Sequence, residues 1–216
     1  MVRELFQREL ERLRADLALM CDLVAEAMRL ATRALLDTDL HLSEQVISAD
    51  DEVDQLSTRC EELTFSLLAL QAPVAKDLRM VVTSMRAAEK IERMGDLASH
   101  IAVIARLRYP EPAVPDALTA KFAEMGRLGV QACERLRRAI TAPTGSDWPT
   151  LVAADDKIDK LHREVLDAVS HADPPYPVRI GVDVALLTRY FERFGDQAVS
   201  ITRRLDYAAT GELPDA

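Results

Sequence analysis

The sequence predicts an all-α protein built as two tandem three-helix bundles. Only 7 of the 216 residues are glycine and 5% are aromatic, a composition that favours long helices over sheets. Apolar residues recur at alternating spacings of three and four along most of the chain, which is typical of amphipathic helices. Two short motifs also occur twice in the same order. We therefore predict six long antiparallel helices and a pseudo-twofold internal repeat.

Three apolar stripes in the first half predict three helices of about 25–35 residues each. The first stripe consists of Phe6, Leu10, Leu13, Leu17, Met20, Val24, Ala27, Ala31 and Ala34. The second consists of Val46, Ala49, Val53, Leu56, Cys60, Leu63, Leu67 and Leu70. The third consists of Met80, Ser84, Ala87, Ile91, Met94, Ala98, Ile101 and Ala105. Pro73 marks the break before the third helix, and the prolines of segment 110–115 mark its end.

Three further stripes predict the helices of the second half. The fourth stripe consists of Leu118, Phe122, Met125, Gly129, Ala132, Leu136 and Ala139. The fifth consists of Leu151, Ala154, Ile158, Leu161, Val165 and Ala168. The sixth consists of Ile180, Val184, Leu187, Phe191, Phe194, Ala198, Ile201 and Leu205. The breaks between them are marked by Pro143, Pro174, Pro175 and Pro177.

The two halves share two motifs. ADDEVDQL at 49–56 matches ADDKIDKL at 154–161, and IERMGD at 91–96 matches FERFGD at 191–196. Because both motifs recur in the same order, we assign one three-helix repeat to 1–109 and another to 116–216.

Charge and hydropathy exclude several classes of protein. The chain has 27 basic and 36 acidic side chains, a net charge of −9, and no basic face that would predict nucleic-acid binding. No stretch approaches the roughly 18 apolar residues of a membrane span, and the N-terminus lacks the apolar core of a signal peptide. We expect a cytosolic protein with no direct membrane insertion. Cys21, Cys60 and Cys133 fall within helical patterns and are expected to be buried free thiols.

Two pairs of carboxylates are the principal candidates for a site. Glu92 and Asp96, and likewise Glu192 and Asp196, are four residues apart, so each pair shares one helical face. Like charges at this spacing repel, but a shared cation would reverse that effect. A metal site and a solvated face with ion pairs both fit the spacing.

Neighbouring residues make the pairs more informative. Glu89 extends the first acidic face, and Arg189 replaces it in the second copy. Gly95 and Gly195 precede the aspartates inside a helix, where glycine costs about 1 kcal/mol relative to alanine. A close helix approach or a bulky ligand would give that cost a reason.

Two more features bear on the site. The acidic faces begin with apolar residues expected to be buried: Leu78, Val82 and Met85 in one copy, Val178, Val182 and Ala185 in the other. A second acidic set lies near the starts of the second and fifth helices: Asp50, Asp51, Asp54, Asp155, Asp156 and Asp159. This set is either a further group of candidate ligands or a favourable placement of acids near helix N-termini.

The sequence contains no catalytic motif. It has no phosphate-binding loop, no dinucleotide fingerprint and no His-Glu-x-x-His zinc motif. The Glu-x-x-His pair of di-iron bundles is also missing, the nearest match being Asp159-x-x-His162. We therefore expect a protein that is not an enzyme.

The chain resembles the PhoU family, regulators associated with bacterial phosphate-specific ABC transport. The resemblance rests on the doubled Glu-Arg-x-Gly-Asp motif, on segment 70–79 before the third helix, and on the helical context over about residues 4–209. The family's usual His and Asn after Gly-Asp are replaced by Leu97 and His100, and by Gln197 and Ser200.

The resemblance implies a cytosolic, often dimeric repressor of the phosphate-starvation response. Its partners would be the ATPase of the phosphate transporter and a sensor histidine kinase. It also implies iron or another divalent metal bound by carboxylates at Glu92, Asp96, Glu192 and Asp196. The alternative is a metal-binding carboxylate bundle that stores metal or acts as an oxidase.

Overall fold

The computed structural model describes residues 2–142, 148–170 and 176–212. These residues form six α-helices and no strand, which confirms the all-α prediction. The helices are α1 (Val2–Asp37), α2 (Leu40–Gln71), α3 (Ala75–Arg108), α4 (Asp116–Thr141), α5 (Trp148–Val169) and α6 (Val178–Thr210). With 36 residues, α1 is longer than expected, and α5, with 22, is shorter. The breaks assigned to Pro143, Pro174 and Pro175 lie outside the described residues.

The helices pack as two groups of three. Helices α1, α2 and α3 contact one another, and α4 and α5 both pack with α6 and with each other. The groups meet where α1 packs against α4 and α3 against α6. Helices α3 and α6 run antiparallel, since Lys90 contacts Gln197 while Arg108 contacts Asp183. This arrangement places equivalent helices across a pseudo-twofold axis, as the repeat predicts.

Local interactions fix where α2 begins and how it packs. The Asp39 carboxylate accepts a hydrogen bond from the Leu42 N–H at 3.0 Å and caps the helix. The helix ends at Gln71, and its C-cap residue Ala72, with a left-handed backbone (φ 40°), precedes Pro73. On its inner side, Nε of Arg59 donates to Asp16 of α1 at 3.0 Å. The cap thus sets where α2 begins, and the ion pair holds α2 against α1.

Most predicted stripe residues are buried, and the three cysteines are buried free thiols as expected. Two assignments in the second stripe are wrong. Leu70 is 76% exposed, because it lies in the last turn of α2. Ala49 is exposed, whereas its neighbour Asp50 is partly buried. The inward position between two buried valines of α2 is therefore filled by a carboxylate.

The apolar beginnings of the two acidic faces are also not buried as predicted. Leu78 is 40% exposed, Val178 80% and Val182 53%. These exposed side chains lie at the two ends of the α3–α6 seam, with Leu78 at one end and Val178 and Val182 at the other. No helix within the described ranges combines the length and hydropathy needed to cross a bilayer.

Candidate functional site

Helices α2 and α3 bring four carboxylates together. Asp50 and Asp54 lie on α2, and Glu92 and Asp96 lie on α3. Burial raises the pKa of Glu92, and the charges of Asp96, Asp54 and Asp50 raise it further. Burial also raises the pKa of Asp50 and of Asp54, with contributions from Asp96. We call these four residues the first acidic cluster, which joins two acidic sets that are far apart in the sequence.

Helices α5 and α6 build the equivalent second acidic cluster from Asp155, Asp159, Glu192 and Asp196. Here burial raises the pKa of Asp155 to about 7, with further contributions from Asp196, Asp159 and Glu192. Burial likewise raises the pKa of Glu192 and of Asp196. The second cluster therefore holds a carboxyl group that titrates near neutral pH.

The two unusual glycines make room for these carboxylates. A β-carbon at Gly95 would lie 3.2 Å from Oδ1 of Asp50. A β-carbon at Gly195 would lie too close to Oδ1 of Asp155 for van der Waals contact. The close approach anticipated from the sequence thus occurs, and it is made by a carboxylate from the neighbouring helix.

The clusters differ in one hydrogen-bond donor. In the first cluster, the Ser99 hydroxyl donates to Asp50 and opposes the upward shift of its pKa. The equivalent position in the second half is Val199, which has no donor. Oδ1 of Asp155 and Oε2 of Glu192 are both buried, and neither has a hydrogen-bond partner among the residues that the structure describes. A buried oxygen without a hydrogen bond destabilises the folded protein. A donor or a cation at the second cluster would remove this destabilisation, whereas in the first cluster Asp50 already has a donor in Ser99.

Each cluster contains one arginine ion pair. Arg93 contacts Asp96 at 2.5 Å in the first cluster, and Arg189 pairs with Glu192 in the second. An arginine therefore partly neutralises the carboxylates in both copies, although the two arginines occupy different repeat positions.

Lys90 connects α3 to the second cluster. Its Nζ donates to Oε1 of Gln197 at 2.9 Å. Burial lowers the pKa of Lys90 and so does Arg204, whereas Glu89 and Asp196 raise it. The sequence places Glu89 on the first acidic face, but its side chain is exposed and lies outside the first acidic cluster. Its charge instead raises the pKa of Lys90.

The donor set suits a hard cation. Every candidate ligand is a carboxylate, the type preferred by Mg²⁺, Mn²⁺ and iron. Among the described residues, no group of three or more His, Cys, Asp or Glu side chains is positioned to hold one ion. The unpartnered oxygens of Asp155 and Glu192 are groups that a cation would satisfy. The residues fit the chemistry of a cation, but the side chains would have to turn toward it.

Comparison with known proteins agrees with this architecture. The model of the PhoU domain matches residues 17–105 and 122–205, one stretch in each half. The chain belongs to the PhoU family. It is 41% identical over 213 residues to the phosphate-specific transport system accessory protein PhoU homolog 2 of Mycobacterium tuberculosis, covering 99% of this chain and 100% of that protein. It is 39% identical to PhoU homolog 1 of Mycobacterium leprae, with coverages of 99% and 96%.

Solved PhoU structures share the fold. The crystal structure of the phosphate transport system regulatory protein PhoU from Streptococcus pneumoniae superposes with a TM-score of 0.84 and 27% identity, covering 98% of this chain and 100% of that chain. PhoU from Pseudomonas aeruginosa superposes with a TM-score of 0.86 and 26% identity, covering 96% and 100%.

Three residues that shape the site in this PhoU protein were missed by the sequence analysis. Ser99 and Val199 set the difference between the clusters, and Lys90 links the halves. The first two could have been found from the sequence, because Ser99, a hydrogen-bond donor, and Val199, which has no donor in its side chain, occupy the same position in the two repeats. Lys90 carries none, since its partner becomes apparent only from the register of α3 against α6.

Proposed function

We propose that this chain is a cytoplasmic accessory protein of a phosphate-specific transport system and a negative regulator of the phosphate-starvation response. It acts as an adaptor between the ATPase of the phosphate ABC transporter and a sensor histidine kinase, it forms a homodimer, and it has no turnover of its own. The observation that carries the proposal is the 41% identity over 213 residues to a protein named as accessory to such a system. The match spans 99% of this chain and 100% of that relative.

The distribution of charge supports an adaptor role. The acidic clusters lie between α2 and α3 and between α5 and α6, whereas arginines of α3 and α6 line a separate groove. Surfaces of opposite charge select different partners and suppress wrong ones. A rigid helical body with two such surfaces suits a protein that contacts two others.

Deleting the gene tests the regulatory role. In phosphate-replete medium the deletion strain should take up phosphate faster and express starvation genes, and the wild-type gene should restore both to normal. The matched control is the double variant Arg106→Glu/Arg138→Glu, which changes two exposed arginines and should complement fully. Unchanged uptake and unchanged starvation-gene expression in the deletion strain would refute the proposal.

A second candidate function is metal binding at the second acidic cluster. The two buried, unpartnered oxygens of Asp155 and Glu192 favour it. Together with Asp159 and Asp196 they would hold iron or another divalent cation, which would neutralise the repelling carboxylates. The chain would then be a metal-binding carboxylate bundle that stores metal or acts as an oxidase, or a regulator that also binds a metal.

Elemental analysis of protein purified without chelator, together with melting curves in Mn²⁺, Mg²⁺ and Fe²⁺, tests metal binding. We expect near-stoichiometric metal and a rise in melting temperature that Glu192→Ala/Asp196→Ala abolishes. Glu92→Ala/Asp96→Ala is the matched control and should reduce the rise less, because Asp50 already has a donor in Ser99. Sub-stoichiometric metal, with melting curves that neither variant changes, would exclude a metal role.

A further inference from the structure

A groove lies between the first half of α3 and the last turns of α6. Its volume is about 240 Å³, and Leu78, Val82 and Tyr207 form its apolar wall. Leu78 is 40% exposed and Tyr207 38%. Pockets that enclose small molecules usually measure about 300–1,000 Å³, so this groove suits a few side chains of a docked segment better than an enclosed ligand.

Three arginines line the same groove and lack acidic partners. Arg79, Arg86 and Arg204 contribute to its wall, and none forms an ion pair within the described residues. Nε of Arg79 is buried with no hydrogen-bond acceptor in the described part of the chain, and the Arg79 guanidinium carbon lies 6.0 Å from the centroid of the Tyr207 ring. In a chain of net charge −9, this is a local concentration of uncompensated positive charge.

The pseudo-twofold axis supplies an internal comparison. At the other end of the α3–α6 seam, Thr83 is replaced by Asp183, which accepts a hydrogen bond from Nη2 of Arg108 at 2.8 Å. The counterpart of Arg86 is Leu186. One end of the seam is therefore paired and apolar, whereas the other is apolar and cationic. Arg79 does have an equivalent in Arg179, but that arginine pairs with Glu111 at 3.1 Å. The fold alone therefore does not require unpaired arginines at this end.

We propose that this groove docks an acidic amphipathic helix of a partner protein. Apolar side chains of that helix would pack on Leu78, Val82 and Tyr207, and its carboxylates would pair with Arg86 and Arg204. Guanidinium groups suit this role because they bind carboxylates in a bidentate geometry. An amphipathic helix laid in a groove is a common mode of peptide recognition. The inference rests on the proposed adaptor function and adds the surface through which it acts.

A labelled helical peptide tests the groove without any natural partner. The peptide carries Leu at i, i+3, i+4 and i+7 and Glu elsewhere, and its matched counterpart carries Lys in place of Glu. Fluorescence anisotropy should show that the Glu peptide binds and the Lys peptide does not, with affinity falling as salt rises. Arg86→Glu/Arg204→Glu should weaken binding about tenfold or more. Arg106→Glu/Arg138→Glu makes the same change in net charge and should bind as the wild type does.

Circular dichroism and light scattering complete this test by showing that both double variants keep the helical fold and the oligomeric state of the wild type. Equal binding of the two peptides, or equal loss in both variants, would overturn the proposal. A change of oligomeric state in the Arg86→Glu/Arg204→Glu variant alone would also overturn it, because the groove would then be an interface between copies of this chain.

Purified transporter ATPase and the cytoplasmic part of the sensor kinase separate this inference from the function on which it rests. If either protein binds wild type and loses affinity only with Arg86→Glu/Arg204→Glu, the groove is its docking site. If both bind all variants equally, the groove proposal is wrong and the adaptor function stands. If neither binds the wild type, the adaptor function is wrong, and the peptide measurement decides the groove.

Discussion

The carboxylate of Asp155 lies against Gly195 so closely that a β-carbon at position 195 would overlap with Oδ1. The equivalent contact in the first half, between Asp50 and Gly95, leaves 3.2 Å to the same hypothetical carbon. In both halves a glycine inside a long helix admits a carboxylate from the helix beside it. The tighter contact is also the one whose carboxylate oxygen receives no hydrogen bond from any described residue.

Replacing Asp155 with Asn should stabilise the protein increasingly as pH rises from 5 to 8. The folded-state pKa of Asp155 is raised from 3.8 to about 7. Stability from such a group is fully present below its unfolded pKa and is lost as pH rises through its folded pKa. Asn carries no charge at any of these pH values. We expect a gain of about 1–2 kcal/mol at pH 8, discounted for the water that reaches this half-buried group, and less than half of that gain at pH 5, which already lies above the unfolded pKa.

Urea unfolding at both pH values measures this difference, with Asp156→Asn as the matched control at an exposed neighbour. If the gain in stability from Asp155→Asn were the same at both pH values, or larger at pH 5, the pKa of Asp155 would not be raised in the folded protein.

Exchanging the donor between the halves should exchange the behaviour of the two aspartates. Val199→Ser offers Asp155 a hydroxyl of the kind that Ser99 offers Asp50, and should lower the pKa of Asp155. Ser99→Val should raise the pKa of Asp50 further. Each change is worth about 1 kcal/mol at pH 8, stabilising for the first and destabilising for the second. Carboxyl ¹³C titration by NMR checks both, and shifts in the same direction would disprove the role of the hydroxyl.

Alanine at two other glycines should have opposite effects on stability. A β-carbon at Gly126 would lie 2.9 Å from Cβ of Thr32, so Gly126→Ala should cost about 1–3 kcal/mol by overpacking. Gly181 has nothing within 4 Å, so Gly181→Ala should add up to about 1 kcal/mol from helix propensity. Combining Gly126→Ala with Thr32→Ala should recover much of the loss. The midpoint of denaturant unfolding measures the stability of each variant. If Gly126→Ala stabilised the protein, α1 and α4 would not be in close contact.

Removing the acidic pair of α6 should leave the helices intact. The charge of Asp196 raises the pKa of Glu192, and both charges raise the pKa of Asp155, while the apolar contacts of α6 lie on its other side. Glu192→Ala/Asp196→Ala should therefore keep the wild-type far-UV circular dichroism. Phe191→Ala, which removes a fully buried ring packed on Phe122, is the contrasting control and should cost about 3–5 kcal/mol. A collapse of helicity in the acidic double variant would contradict this division of roles.

The helices were predictable because apolar periodicity is a local property. One position where the prediction fails is Ala49, which is exposed while Asp50 turns inward. Hydropathy selects the alanine over the aspartate, but the helical turn after Val46 brings position 50 under α3. Glycine at position 95 is what makes that inward carboxylate sterically possible.

The composition of the clusters was only partly predictable. Spacing places Glu92 with Asp96 on one face, but their meeting with Asp50 and Asp54 depends on the register of α2 against α3, which no local pattern contains. The same limit applies to Leu78, whose apolar character suggests burial although its side chain is 40% exposed. Aligning the two repeats is more informative than spacing or hydropathy, because it shows that Val199 occupies the position equivalent to Ser99.

Co-purification from cells grown in high and low phosphate tests the proposed function most directly. A tagged copy of this chain, expressed from its own locus, should retain the transporter ATPase and the sensor kinase, and the amount of each should change with phosphate supply. The tagged Arg86→Glu/Arg204→Glu variant, tested alongside, locates the contact. Recovery of neither protein under either condition would contradict the assignment of this chain as an adaptor in phosphate regulation.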